Sequence, residues 1–234
     1  MTGLLIFLFL FLLASCPLLG VLLWFKALRL PLKLLDYLFA LIAGALAFLL
    51  AGLIQSFFPP LWEGNQGVMR IRLFIQIALT EEGAKFLTLL VVIGMIKRSF
   101  KPSAIAYSPG YVFKDRPPDL TALGTALGLL VGLSFALIEN ASYGSSDFNA
   151  AIVRAVTTAP LHGACGSRAG AAAVNLPEKP MAAALRFLHA VLIHGLYNLL
   201  LTLPGLPAFL ALFILPFSVL VSSLLVIHRG LNRP

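Results

Sequence analysis

Charge is scarce in this chain: 11% of its 234 residues are Asp, Glu, Lys or Arg, only 9 of them acidic, whereas 60% are hydrophobic. With a mean hydropathy of +0.98, that scarcity excludes an ordinary soluble domain. Cysteine is nearly absent as well. Cys16 and Cys165 lie in different apolar segments, which excludes a disulfide framework and a zinc knuckle. No HExxH motif, internal repeat or low-complexity tract occurs, so neither a zincin helix nor a repeat array is expected. The formal charge of +8 does not point to nucleic acid, because the basic residues are confined to short segments between apolar runs.

Long apolar runs are what the sequence has in abundance. A helix needs about 20 such residues to cross roughly 30 Å of hydrocarbon. Segments 4–25, 34–57, 71–96, 120–143, 150–174, 181–203 and 208–227 satisfy this. The expectation is an all-α, polytopic transmembrane bundle of about seven spans, forming one domain over 1–234 with its motif-bearing core at about 71–203. Lys26, Arg29 and Lys33 mark the first connection, Lys97, Arg98, Lys101, Lys114 and Arg116 the third, Lys179 the fifth, and Arg229 and Arg233 the tail. The alternate set holds only Arg70, Arg72 and Arg154. The positive-inside rule therefore places the N-terminus outside and the C-terminus in the cytoplasm, with the protein integral to the cell (inner) membrane. "LLASC", ending at Cys16, resembles a lipoprotein processing box, but no basic region precedes it and the apolar run continues to Phe25. An uncleaved first helix is expected.

Burying a central Asp, Lys or Arg costs about 2.5–3.5 kcal/mol, so the ionisable residues inside the spans need a reason. These are Glu81, Glu82 and Lys85 in the third span, Glu139 in the fourth, His162 in the fifth and His194 in the sixth. Glu139 shares a helical stripe with Gly124, Gly128, Gly132 and Phe135, and His162 shares one with Ala155, Ala159, Gly166, Ala169 and Ala173. Small residues at four-residue intervals let helices approach, so both stripes should face protein. His194 and Asn198 lie on a face with Ala183, Phe187 and Ala190. Lys85 is spaced to pair with Glu81 or Glu82. At 1.5 Å per residue, Glu81, His162 and His194 lie roughly 13–18 Å below the outer end of their spans, with Glu139 nearer that surface. Four helices could thus converge on one polar pocket wetted from outside. Each residue also has a plainer reading, as an interhelical clamp or a packing histidine. His189 and His228 are read as structural, and Arg154 and Arg168 as interfacial, Arg154 lying close enough to the pocket to touch substrate.

The segments "EEGAK" (81–85), "FALIE" (135–139), "PLHGACG" (160–166) and "HGLYN" (194–198) resemble, in order and spacing, the EExxK, FxxxE, His and HxxxN signatures of the PrsW family of bacterial intramembrane proteases. That family is similar to the group containing CAAX prenyl proteases and bacteriocin-processing membrane enzymes. The resemblance implies a peptidase in which Glu81 and Glu82 are the paired catalytic carboxylates. Lys85 would be their partner, Glu139 a third acid, His162 and His194 the histidines, and Asn198 the last motif position. It also implies a single-span membrane protein substrate, such as an anti-sigma factor, cut on its extracytoplasmic side. The CAAX branch usually has His at the position of Glu139, which argues against a prenyl-protein substrate.

Peptide hydrolysis needs an activated water, an oxyanion stabiliser and an acid for the leaving amine. Lys85 should hold one glutamate ionised and leave the other to take a proton from water. His194 and Asn198 would then stabilise the oxyanion, His162 would position water or protonate the amine, and Glu139 would orient a histidine. No cofactor is required in this preferred scheme. The competing scheme is a zinc or other divalent site held by His162, His194 and Glu139, with a glutamate as base. Buried Glu and His chains also occur in proton-coupled transporters, which is the alternative function, and a scaffold is a third.

Overall fold

The computed structural model describes residues 2–28, 30, 32–59, 65–99, 119–144 and 148–231. No strand occurs among them. In chain order the elements are α1 (Thr2–Ala27), α2 (Leu34–Gln55), α3 (Gln66–Ile71), π1 (Arg72–Ile77), α4 (Ala78–Ser99) and α5 (Leu120–Gly144). They continue with α6 (Phe148–Asn175), α7 (Pro180–Leu201), α8 (Leu206–Phe209), π2 (Leu210–Ile214) and α9 (Leu215–Leu231). Elements α3, π1 and α4 follow one another without a break, as do α8, π2 and α9. Helix therefore occupies each of the seven expected segments.

Among the described residues, four helical stretches are long and apolar enough to cross a membrane: Leu34–Gln55, Leu120–Tyr143, Pro180–Leu201 and Leu206–Gly230. The rod containing α4 and the helix α6 carry Glu81, Glu82, Lys85, Arg154, His162 and Arg168, and these polar groups reduce their apolar character. Arg29, the 100–118 part of the third connection with Lys101, Lys114 and Arg116, and Arg233 lie outside the described residues.

Packing follows a rule inverted from that of soluble proteins, with small side chains inside and large apolar ones outside. Helix α2 illustrates it. Its buried face is Asp36, Ala40, Ala43, Gly44, Ala47 and Ala51, whereas Leu35, Leu38, Ile42, Leu46, Leu49 and Leu53 are exposed. The start of α2 is fixed by the Asp36 carboxylate, which accepts from the Lys33 backbone N–H at 2.7 Å, satisfying a donor that the helix itself leaves open. A Cβ on Gly44 would meet the Val131 carbonyl of α5 at 2.6 Å, and the Ser134 hydroxyl donates to the Leu41 carbonyl at 2.7 Å.

Helix α5 runs through the middle of the bundle, with 83% of its most apolar stretch buried. Its expected glycine stripe packs backbone to backbone against α6. A Cβ on Gly128 would run into the Gly166 carbonyl, one on Gly132 into that of His162, and one on Gly170 into that of Gly124. This seam brings Glu139, near the end of α5, beside His162 at the middle of α6. Helix α7 is held to π1 in the same way, because Gly195 lies where a Cβ would strike the Phe74 carbonyl.

Candidate active site

The two carboxylates of "EEGAK" follow directly on π1, within the first turn and a half of α4. A π-helical turn leaves the ordinary backbone ladder out of register, and such turns recur at functional sites. A side chain from another helix meets this turn: Asn198 of α7 donates through Nδ2 to the Leu73 carbonyl at 3.3 Å. Asn198, expected to stabilise an oxyanion, thus ties α7 to π1 while also lining the cavity described below.

The remaining polar residues form one continuous network across four helices. Lys85 Nζ lies 2.7 Å from Glu82 Oε1 and 2.9 Å from His162 Nδ1, over the face of Phe135 at 4.1 Å. An ammonium group only donates, so His162 Nδ1 accepts and its Nε2 carries the hydrogen. That Nε2–H donates to Glu139 Oε2 at 2.8 Å, and the other Glu139 oxygen pairs with Arg154 Nη2 at 2.6 Å. The Arg154 guanidinium also lies 3.9 Å over the Tyr143 ring. On the opposite side of Glu82, His194 Nδ1 contacts Oε1 at 2.7 Å. Because Glu82 is ion-paired with Lys85, its oxygen accepts and His194 Nδ1 donates. In the neutral ring this leaves the His194 Nε2 lone pair without a hydrogen bond.

That lone pair faces Glu81 Oε2 at 3.8 Å. Glu81 Oε2 is buried and has no hydrogen-bond partner. Two acceptors facing each other without a donor between them invite a cation or a water hydrogen. Glu82 Oε2 is likewise buried without a partner, but only Glu81 of the pair reaches the cavity wall. The adjacent glutamates therefore have different surroundings: Glu82 is a wholly buried anchor for Lys85 and His194, and Glu81 is the carboxylate that meets the cavity.

The cavity itself, about 430 Å³, opens at the end of the bundle where α2, α5 and α7 finish and α6 begins. Glu81, Glu139, Arg154, His162, His194 and Tyr197 line it among apolar neighbours from α2 and π1. The structure thus brings Glu81, Glu82, Lys85, Glu139, His162 and His194 together.

The residues that could hold a metal differ from the expected set of His162, His194 and Glu139. Glu81, His162 and His194 offer ligand atoms that all lie within 4.8 Å of one another. Glu139 is not in that group, and Arg154 and His162 occupy its two oxygens. Two histidines and one glutamate suit a catalytic zinc ion. Each histidine also rests one nitrogen on a carboxylate, His194 on Glu82 and His162 on Glu139, as metal-ligating imidazoles do. His162 would have to release Lys85 or Glu139 to become a ligand. The orphan Glu81 oxygen and the lone pair of His194 need no such exchange, so the donor set fits a divalent ion.

Sequence reasoning placed Arg154 at the interface and missed its partner. The signal was available: Arg154, Thr158 and His162 are spaced four apart on α6, hence on one face. Thr158 donates to Asn140 Oδ1 at 3.0 Å, linking that face to the residue after Glu139.

A family model described as PrsW family intramembrane metalloprotease matches residues 31–226. No curated protein and no solved structure matches the chain.

Proposed function

The chain belongs to the PrsW family of intramembrane metalloproteases, and from that premise we propose that it hydrolyses a membrane-anchored protein in the cleft walled by Glu81, His162 and His194. It is a peptidase built into a membrane, and the proton-coupled transporter reading is not favoured. The observation that carries the site assignment is the unpartnered, buried Glu81 Oε2 facing His194 Nε2 across 3.8 Å at the cavity wall.

A divalent ion bound there would supply a Lewis acid for the scissile carbonyl and its attacking water. The family description and the donor set both speak for it, and neither supports the expected preference for catalysis without a cofactor. The protein's own groups have the following roles. Glu81 would hold the ion through Oε2 and take a proton from the attacking water through its other carboxylate oxygen. Glu82, fixed by Lys85, holds His194 through Nδ1 so that Nε2 points at the reacting atoms. Glu139, held by Arg154, keeps the His162 ring turned toward the cleft. Tyr197 and Asn198 line the cleft and would offer an O–H and an amide N–H to the substrate. All seven helical segments cross the bilayer in this reading, with the cleft on the extracytoplasmic side of the cell membrane. The distribution of Lys and Arg supports that orientation. The substrate is then a single-span protein of the anti-sigma-factor kind.

The test is cleavage of a single-span reporter by the full chain in liposomes. Glu81→Gln should lower turnover about 100- to 10,000-fold with an unchanged melting midpoint. Chelation should abolish cleavage and zinc should restore it; cleavage that survives chelation would favour glutamate acting alone. Full turnover in Glu81→Gln would remove the site assignment.

A further inference from the structure

A second polar cavity, of about 200 Å³, lies at the other end of the same rods. It is lined by Thr125 near the start of α5, Ser167 and Arg168 late in α6, Arg186 early in α7, and Ser222 and Ser223 of α9. No carboxylate among the described residues lines it. Arg168, read from sequence as interfacial, and Arg186 face one space from different helices. Arg168 is held in place by hydroxyls and a carbonyl. It donates to Ser223 Oγ at 3.1 Å, Ser222 Oγ at 2.8 Å and the Ala164 carbonyl at 2.9 Å. Both serines in turn donate to the Val219 carbonyl, so their oxygens are oriented to accept. Neither arginine has an ion-pair partner among the described residues.

Two further groups are left unmatched. Arg186 Nη1 is buried with no hydrogen-bond partner, and so is the hydroxyl of Ser167, a side chain that is 0% exposed. A buried donor without an acceptor is costly, and two guanidinium charges sharing one cavity without an anion are more so. Arg168 and Arg186 each lie within about two turns of a helix end, roughly 10 Å along the axis. That is the depth of a lipid headgroup and its first carbons. Val226, which lines the cavity, is itself 45% exposed. The cavity therefore opens at apolar surface on which an acyl chain can lie.

We propose that this cavity binds the phosphate group of an anion, Arg168 and Arg186 neutralising its charge and the Ser167 hydroxyl donating to one of its oxygens. Basic pockets between membrane helices recognise anionic headgroups by this chemistry. The site is separate from the cleft, and its existence does not depend on the peptidase assignment.

Purified full-length protein in neutral detergent tests it. Phosphatidylglycerol, phosphatidylcholine and inorganic phosphate are added in separate arms, with retained ligand counted by native mass spectrometry and stability followed by the melting midpoint. Phosphatidylglycerol should be retained over phosphatidylcholine and should raise the midpoint, and Arg186→Gln should weaken that retention about fivefold. A response to inorganic phosphate as strong as that to the lipid, and lost in Arg186→Gln, would sustain the site and assign it to free phosphate. Arg186→Lys, which keeps the charge, should keep the response and so separates loss of charge from loss of fold. Equal retention of the two lipids, no binding in any arm, or binding undiminished in Arg186→Gln would overturn the proposal.

Discussion

The two ends of the bundle bury cations under opposite conditions. In the cleft, Lys85 lies on Glu82 and Arg154 on Glu139, and the pairs are joined through His162 into one network. In the second cavity, Arg168 rests on hydroxyls and a carbonyl, and Arg186 Nη1 is buried without a hydrogen-bond partner among the described residues. The contrast teaches that burial alone does not identify chemistry in an apolar protein. A cation matched by a carboxylate is part of a positioned machine, because each charge fixes the direction of its neighbour. A cation matched only by dipoles retains an unspent charge, and that charge can attract a ligand. The same distinction operates between the adjacent glutamates, where Glu82 is consumed by its partners and Glu81 is left free.

Removing the cations one at a time sharpens this comparison. Lys85→Met should have the largest effect, because it strands Glu82 in a wholly buried site at a cost of about 3–5 kcal/mol. Unfolding of the reconstituted protein measures it, and a variant as stable as wild type would show that the pair does not hold the centre. Arg154→Gln should come next. Arg154 touches the ring of His162 only through Glu139, so its loss should lower kcat/KM about 10- to 100-fold while shifting the melting midpoint little. A drop confined to stability would make Arg154 a clamp and nothing more. Arg186→Gln should cost least, within about 0.5 kcal/mol in neutral detergent, because no partner is left stranded. A large loss there would erase the difference between the two ends.

Much of the centre was legible beforehand, residue by residue. Glycines at 124, 128 and 132 announced a close seam, and α5 and α6 meet along it. Spacing alone put Glu139 and His162 on protein-facing stripes, and the two are hydrogen-bonded at 2.8 Å. Lys85 was in reach of both glutamates by helical geometry, but the choice of Glu82 depends on where His162 and His194 stand, which no wheel drawn on α4 contains. Sequence alone reads Arg154 and Arg168 as interfacial residues. Their actual neighbours, Glu139 and the serines of α9, belong to other helices and lie 15 and 54 or more positions away in the chain.

By itself, the order of residues determined that this is an apolar helical protein whose few buried charges point inward, because hydrophobicity and the 3.6-residue period are properties of one rod at a time. Tertiary structure alone decided that Glu81 is the free carboxylate, that Glu139 serves Arg154 and His162 rather than the metal-capable group, and that Arg168 and Arg186 share a cavity. Each of those outcomes turns on which helix faces which. That is set by backbone approach at glycine contacts such as Gly132 on His162 and Gly195 on Phe74, where a single added carbon would move the rods apart.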